Sequence, residues 1–219
     1  LFSMLVLTFV FSTVFGQDPR EFAVFLFSGM IAWSYFNASV IQCSDLFLAN
    51  EQLIKKIYLP KELFPISIMV AMLIDAMLVF IAFFLIMLSL GAPISTSLFF
   101  LPVAYFILTI FILGVGLAVS IFTIFFRDLQ HIIPIFLQAL FFLTPIIYPE
   151  PKVPNSLLKT IFDLNPLSPF ISMFRDPLMN GHITDWSNII SSSIFSIFSI
   201  VIGVYIFNKN KNNIIYRLN

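Results

Sequence analysis

Charge is scarce in this chain. Only 10% of its 219 residues are Asp, Glu, Lys or Arg, against roughly 25% in soluble domains. The 11 basic and 11 acidic side chains cancel, so no basic field points to nucleic acid. There is one cysteine, Cys43, which excludes an internal disulfide and a cysteine-built metal site. It reads as a small apolar filler. The two histidines, His131 and His182, lie far apart and form no metal pair or catalytic triad. No G-x-x-x-x-G-K-S/T phosphate loop occurs, so ATP hydrolysis is not expected of this chain.

What the chain has instead is apolar surface. Apolar residues make up 60% of it, aromatic ones 17%, and Phe alone contributes 29 residues; the mean hydropathy is +1.03. A soluble fold of this size leaves many side chains in water, so an ordinary cytosolic or secreted globular protein is excluded. Disorder is excluded too, because it needs low hydrophobicity and high charge. The solvent is a lipid bilayer.

A spanning helix needs about 20 mainly apolar residues. Runs at 1–16, 22–48, 64–90, 96–125, 132–148 and 188–207 are the expected spans. They do not alternate as barrel strands would, and backbone groups in lipid require internal partners, which helices supply. The expected fold is an all-α integral membrane protein, one transmembrane domain over 1–219, built as a six-span helical bundle. The run 1–15 begins at Leu with no basic stretch before it, so a truncated first span is preferred to a signal peptide.

Alternation puts the loops 49–62 and 126–131 and the tail 208–219 on one side. These carry seven cations: Lys55, Lys56, Lys61, Arg127, Lys209, Lys211 and Arg217. The other side carries four, Arg20, Lys152, Lys159 and Arg175, over longer loops. The positive-inside rule makes the first side cytoplasmic.

Four features stand out. Residues 50–62 predict a short amphipathic surface helix, with Asn50 as its cap, Glu51 at its positive end, Lys55 and Lys56 near its negative end, and Pro60 as its stop. Glu51, Gln52, Lys55 and Lys56 share one face, and Leu53, Ile54, Ile57 and Tyr58 the other. Such a helix either tucks in the loop or docks a cytoplasmic partner. Asp75 sits mid-span, where a carboxylate costs about 2.5–3.5 kcal/mol, so it is expected to face the bundle or water. Gly114 with Ala118, and Gly116 with Ser120, make small faces for close helix approach. Arg127 and Asp128 mark a cytoplasmic junction between spans.

The region 132–187 is punctuated by eight prolines, from Pro134 to Pro177. Its short apolar stretches 155–164 and 167–175 are too brief to span and read as re-entrant or interfacial helices. Residues 149–187 are therefore a candidate outer gate, or else a cap over helix ends. Trp33, Tyr35 and Phe36, together with Asp75, are candidates to line a channel; most other aromatics face lipid or the interface.

An ordered set of blocks carries a family resemblance. Gly29-Met-Ile-Ala-Trp33-Ser-Tyr-Phe36 is followed by Asn50 through Pro65, then Phe126-Arg127-Asp128. Thr144-Pro145-Ile-Ile-Tyr148-Pro149, Asn165-Pro166-Leu167 and Phe174-Arg175 complete it. The chain resembles the membrane subunit of bacterial ABC exporters for O-antigen, capsular polysaccharide and teichoic acid. Leu59 stands where that family commonly has Phe.

The resemblance implies a six-span, multi-pass permease of the bacterial cytoplasmic (inner) membrane. It implies a homodimer around a channel, a separate ABC ATPase subunit as partner, and lipid-linked polysaccharide as cargo. No cofactor would be bound by this chain, and ATP and Mg would be used by the partner. Asn50, Glu51, Lys55, Lys56, Pro60 and Glu62 become the expected coupling residues. Pro145, Tyr148, Pro149, Asn165, Pro166 and Arg175 become the expected outer gate. Other cargo, such as a drug, a peptide or another lipid, keeps the same fold. A secondary transporter would want several paired intramembrane charges, and a membrane glycan enzyme would want clustered acid–base or metal-ligand residues; neither pattern is present.

Overall fold

The computed structural model describes residues 2–16, 18–57, 59–89, 91, 95–147, 162 and 164–217. These residues are helical with short turns, and no strand occurs among them. Helix α1 is Phe2–Phe15, α2 is Pro19–Ala49, α3 is Glu51–Lys56 and α4 is Leu63–Ser89. A 3-10 turn, Thr96–Phe100, leads into α5, Leu101–Phe125. Then come α6, Leu129–Phe142, α7, Ser168–Arg175, α8, Trp186–Asn210, and the short α9, Ile214–Arg217.

Among the described residues, four helices are long and apolar enough to cross a membrane: Pro19–Ala49, Leu63–Ser89, Thr96–Phe125 and Trp186–Asn213. Four of the expected spans fall on these within a few residues. The other two, 1–16 and 132–148, fall on α1 and α6, which are 14 residues each. At 1.5 Å per residue α6 covers about 21 Å, short of the ~30 Å hydrocarbon core. Helix α6 stops where Pro145 biases the residue before it away from helical geometry. The Thr144 hydroxyl donates back to the Leu140 carbonyl (2.8 Å) and closes the last turn.

Helix α2 is the central post. Asp18 caps it by accepting from the Arg20 amide (2.8 Å), with Pro19 in its first turn. It is buried on several sides, so its inward residues run all round it, from Phe22 and Leu26 to Cys43 and Phe47. Helix α4 instead lies along α2 by a narrow seam of Met69, Ala76, Phe83 and Met87. The rest of α4 faces outward, including Ile66, Val70, Ile74, Leu78, Ile81 and Leu85.

The tightest pairing is α5 on α8. Gly114 meets the backbone of Ser199, and Gly203 meets the backbone of Gly114. Any Cβ at either glycine would strike main chain. The Ser196 and Ser199 hydroxyls donate across to the carbonyls of Ile107 and Phe111, both at 2.9 Å. The small-residue stripe on α5 thus serves two neighbours: Gly114 faces α8, while Gly116 faces Cys43 on α2. Of the serine cluster at 191–193, Ser193 bonds its own helix at the Ile189 carbonyl (2.7 Å).

Gly114→Leu is expected to cost about 3 kcal/mol, the upper end of overpacking, because backbone cannot rotate aside. Gly116→Ala should cost less, because its neighbour is the Cys43 Sγ at 2.7 Å. Cys43→Ala in the same chain should recover part of that loss. Thermal unfolding of the purified protein in detergent checks all three; a Gly114→Leu protein that melts with wild type would contradict the packing.

Candidate functional site

At the end of the bundle where α2 begins, a clamp joins two segments far apart in sequence. Asn165 is 6% exposed. Its Nδ2 donates to the Leu143 carbonyl and to Thr144 Oγ1, both at 2.9 Å, and its Oδ1 accepts from the Leu167 amide at 2.9 Å. One side chain therefore closes the turn after α6 and starts the turn into α7. Arg175, at the end of α7, donates from Nη1 to the Pro145 carbonyl (2.9 Å) and from Nη2 to the Ile146 carbonyl (3.1 Å). Its guanidinium carbon lies 3.9 Å from the Phe25 ring centroid on α2, a cation–π contact. A Cβ at Gly29 would come within 2.8 Å of Nη2, so the guanidinium occupies space that only glycine leaves free.

Three of the expected gate residues, Pro145, Asn165 and Arg175, thus belong to one hydrogen-bonded unit, and Pro166 lies inside the Asn165–Leu167 turn. Tyr148 and Pro149 lie outside the described residues. Phe25, Gly29 and Thr144 complete the unit and were not expected in it. Their only sequence signal was position: Gly29 and Thr144 each open one of the blocks that carry the resemblance. Helix α7 is wedged between α2, α5 and α8 by Phe170, Ile171, Met173 and Phe174, each nearly inaccessible. The π-turn Asp176–Asn180 ends at Gly181, whose φ of +69° suits a residue without Cβ. There Ser95 donates to the Gly181 carbonyl (2.7 Å) and Ser97 to that of Pro177 (3.3 Å), tying the start of α5 to the same end.

At the opposite end lies α3. Asn50 does not cap it; its amide donates back to the Leu46 carbonyl of α2 (2.8 Å). The helix ends at Ile57, ahead of Pro60, whose carbonyl instead accepts from the Leu63 amide as α4 begins (3.1 Å). Of the described residues of the expected apolar face, only Ile54 is buried. Six residues turn too little for more, so Leu53 joins Leu59 and Leu63 along a groove of about 450 Å³; Tyr58 lies outside the described residues. The polar face carries a Glu51–Lys55 ion pair at 2.6 Å, and Lys56 is exposed. The Lys55 hydrogen bond, aided by the Arg127 charge, holds the Glu51 carboxyl below the usual carboxylate range.

Glu62 is engaged elsewhere. It pairs with Lys211, after α8, at 2.6 Å, and that hydrogen bond lowers its pKa. Arg127 donates from Nη2 to the Arg217 carbonyl (3.4 Å), while Asp128 is exposed at the start of α6 and makes no side-chain cap. The loops 49–62 and 126–131 and the segment after α8, placed on one side by charge, meet here.

The candidate channel residues fall into two groups. Trp33 and Phe36, three residues apart on α2, are neighbours on one face, 5.9 Å between ring centroids, while Tyr35 turns to another face and shares a groove with Asp75. Trp33 lies tilted against Phe141 of α6 (5.4 Å between centroids) and borders a groove of about 350 Å³ with Asn37, Gln138 and Phe142. Tyr35 shares a hydrogen bond with Thr109 of α5 (3.0 Å). Phe36 is buried against Phe111. Asp75 is exposed on the outer side of α4, beside its seam with α2, and borders a groove of about 330 Å³ with Ser34, Tyr35 and Met72. No metal-binding cluster occurs among the described residues.

The family model for the ABC-2 type transporter matches residues 1–179. The chain belongs to this family. An O-antigen export system permease protein RfbA of Klebsiella pneumoniae is 30% identical over 213 residues, which is 96% of this chain and 81% of that protein. One from Myxococcus xanthus is 26% identical over 173 residues, 78% of this chain and 66% of that protein. The polysialic acid transport protein KpsM of Escherichia coli is 22% identical over 215 residues, 95% of this chain and 81% of its own length. This family and the several apolar helices make the chain a multi-pass membrane permease, not an ATPase.

Arg175→Lys keeps the charge but loses the two-pronged grip, and should cost about 1.5–3 kcal/mol, the range for hydrogen bonds to charged groups. Gly29→Val should produce the same defect by displacing the guanidinium. Protease cleavage within 143–175 and the melting temperature report both; resistance equal to wild type would remove the clamp.

Proposed function

We propose that the chain is the permease subunit of an ATP-driven exporter that carries a lipid-linked polysaccharide across a bacterial cytoplasmic (inner) membrane. The cargo is of the O-antigen, capsule or teichoic acid type. The observation that carries this reading is the alignment of 96% of the chain with a permease named for O-antigen export. Two chemical features favour a sugar. Trp33 and Phe141 offer aromatic faces, and Asn37 and Gln138 beside them offer amides that donate and accept.

In this reading α1 and α6 are the first and fifth of six spans, and α7 with the turn before it forms re-entrant helices of the outer gate. Two copies pair so that the groove of Trp33 and Gln138 is closed into a channel. An exposed amide would be costly against lipid, which is why the groove is placed at the channel and not at the bilayer. Asp75 is a further channel candidate, because a mid-depth carboxylate favours water over hydrocarbon.

The chain binds no cofactor of its own. ATP and Mg act in a separate ABC ATPase subunit, which docks under the end where α3, Arg127 and Asp128 lie. Glu51, Lys55 and Lys56 present the polar face to that partner, with Asn50, Pro60 and Glu62 setting the helix in place. Closure of the ATPase would push α3 and, through it, α2 and α4. Pro145, Tyr148, Pro149, Asn165, Pro166 and Arg175 hold the outer gate until that push arrives.

Deletion of the gene should leave lipid-linked polymer trapped inside and the surface bare, seen by fractionating radiolabelled glycan. Short unpolymerised units would indicate a glycan enzyme, and an unchanged profile would move the cargo to a drug, a peptide or another lipid. Trp33→Ala with Asn37→Ala should lower surface polymer several-fold at an unchanged membrane level. Glu51→Arg with Lys56→Glu should weaken co-purification of the ATPase; full recovery would remove α3 from the docking surface.

A further inference from the structure

The segment Lys211–Arg217, which follows α8, is tied back under the bundle at four points. Lys61 Nζ donates to the Lys211 carbonyl (2.8 Å), and Lys211 Nζ pairs with Glu62 (2.6 Å). The Arg217 carbonyl accepts from Arg127 (3.4 Å), and the Arg217 guanidinium lies 5.0 Å from the Phe125 ring centroid. Between these polar ties Ile214 is 1% exposed. It lies in one apolar cluster with Phe47 of α2, Phe64 of α4, Ile121 and Ile124 of α5, and Phe207 of α8.

The same cluster contains Ile54, the buried residue of α3. Helix α3 therefore rests on a floor to which the segment 211–217 contributes. The link from α3 to α4 is gripped by Lys211 through Lys61 and Glu62. Arg127, held by the Arg217 carbonyl, acts electrostatically on Glu51 at the start of α3. A six-residue helix has too few internal hydrogen bonds to hold itself, so its position must come from such external ties.

We propose that the segment Lys211–Arg217 is a strap that sets the position of α3, with Lys211 and Ile214 as positioning residues for force transfer from the ATPase. This deepens the exporter reading and rests on it for the identity of the force. The strap converts a push on a short surface helix into movement of the ends of α2, α4, α5 and α8 together. Without it α3 would yield locally, and ATP would be spent with less cargo moved.

Two measurements on the full chain with its ATPase test this. Amide hydrogen exchange over residues 51–63 should quicken about two- to fivefold in Lys211→Glu and in Glu62→Lys, the scale of a half-exposed ion pair. The double swap should restore it. Ile214→Ala should quicken it more than about tenfold, since it opens the shared floor. Glycan exported per ATP hydrolysed should fall about two- to fivefold in Lys211→Glu, with the ATPase still co-purifying, and recover in the swap. Unchanged exchange in the single variants, or a swap without rescue, overturns the strap whatever the cargo. Export that falls only in step with membrane level overturns its role in force transfer. Altered exchange in a protein whose deletion leaves surface glycan unchanged keeps the strap and overturns the polysaccharide reading.

Discussion

The absence of hydrogen-bonding partners in hydrocarbon governs this structure. A polar group facing lipid has nothing to bond, so it must be satisfied within the chain. Helices answer the constraint for the backbone. Several hydroxyls answer it locally: Ser28, Ser44, Ser120 and Thr123 each bond a carbonyl three or four residues back on their own helix. Where a hydroxyl reaches across to another helix, as Ser196, Ser199 and Tyr35 do, the bond also fixes helix register.

The same constraint explains why the non-helical stretch after α6 is so heavily clamped. In its turn the carbonyls of Leu143, Pro145 and Ile146 accept from Asn165 and Arg175, donors that reach them from across the fold. Two side chains thereby convert an interruption in the helical ladder into a defined shape. The stretch clamped in this way is tied to α2, because Phe25 and Gly29 of α2 form the seat of the Arg175 guanidinium.

The two ends of the bundle are built differently. The end with the clamp is held by hydrogen bonds between side chains and main chain, in surroundings mostly buried. The end with α3 is held by an apolar floor rimmed with half-exposed ion pairs, which are individually weak. In the proposed exporter, weak, replaceable contacts suit the surface that is pushed, and satisfied buried ones suit the gate that stays shut. Between them α5 and α8 are locked by glycine-to-backbone contact, so a shift at one end reaches the other with little loss in that pair.

The sequence by itself determined the solvent, the helical class, the approximate limits of the four long spans and which loops share one end of the bundle. These follow from composition, run length and charge, which act locally and need no partner. The resemblance also pointed to the family and to Asn165, Arg175 and Pro145 as a group. Only the tertiary structure decided what those residues do, because their partners are main-chain carbonyls some 20 to 30 residues away, and any residue has a carbonyl. It also decided that Glu62 bonds Lys211, that Asn50 bonds α2 in place of capping α3, and that Asp75 turns outward beside the α4 seam. Periodicity says which residues share a face; it does not say which faces meet. That choice is made by packing, here by glycines that let α5 and α8 touch and by an arginine that fills the space beside Gly29.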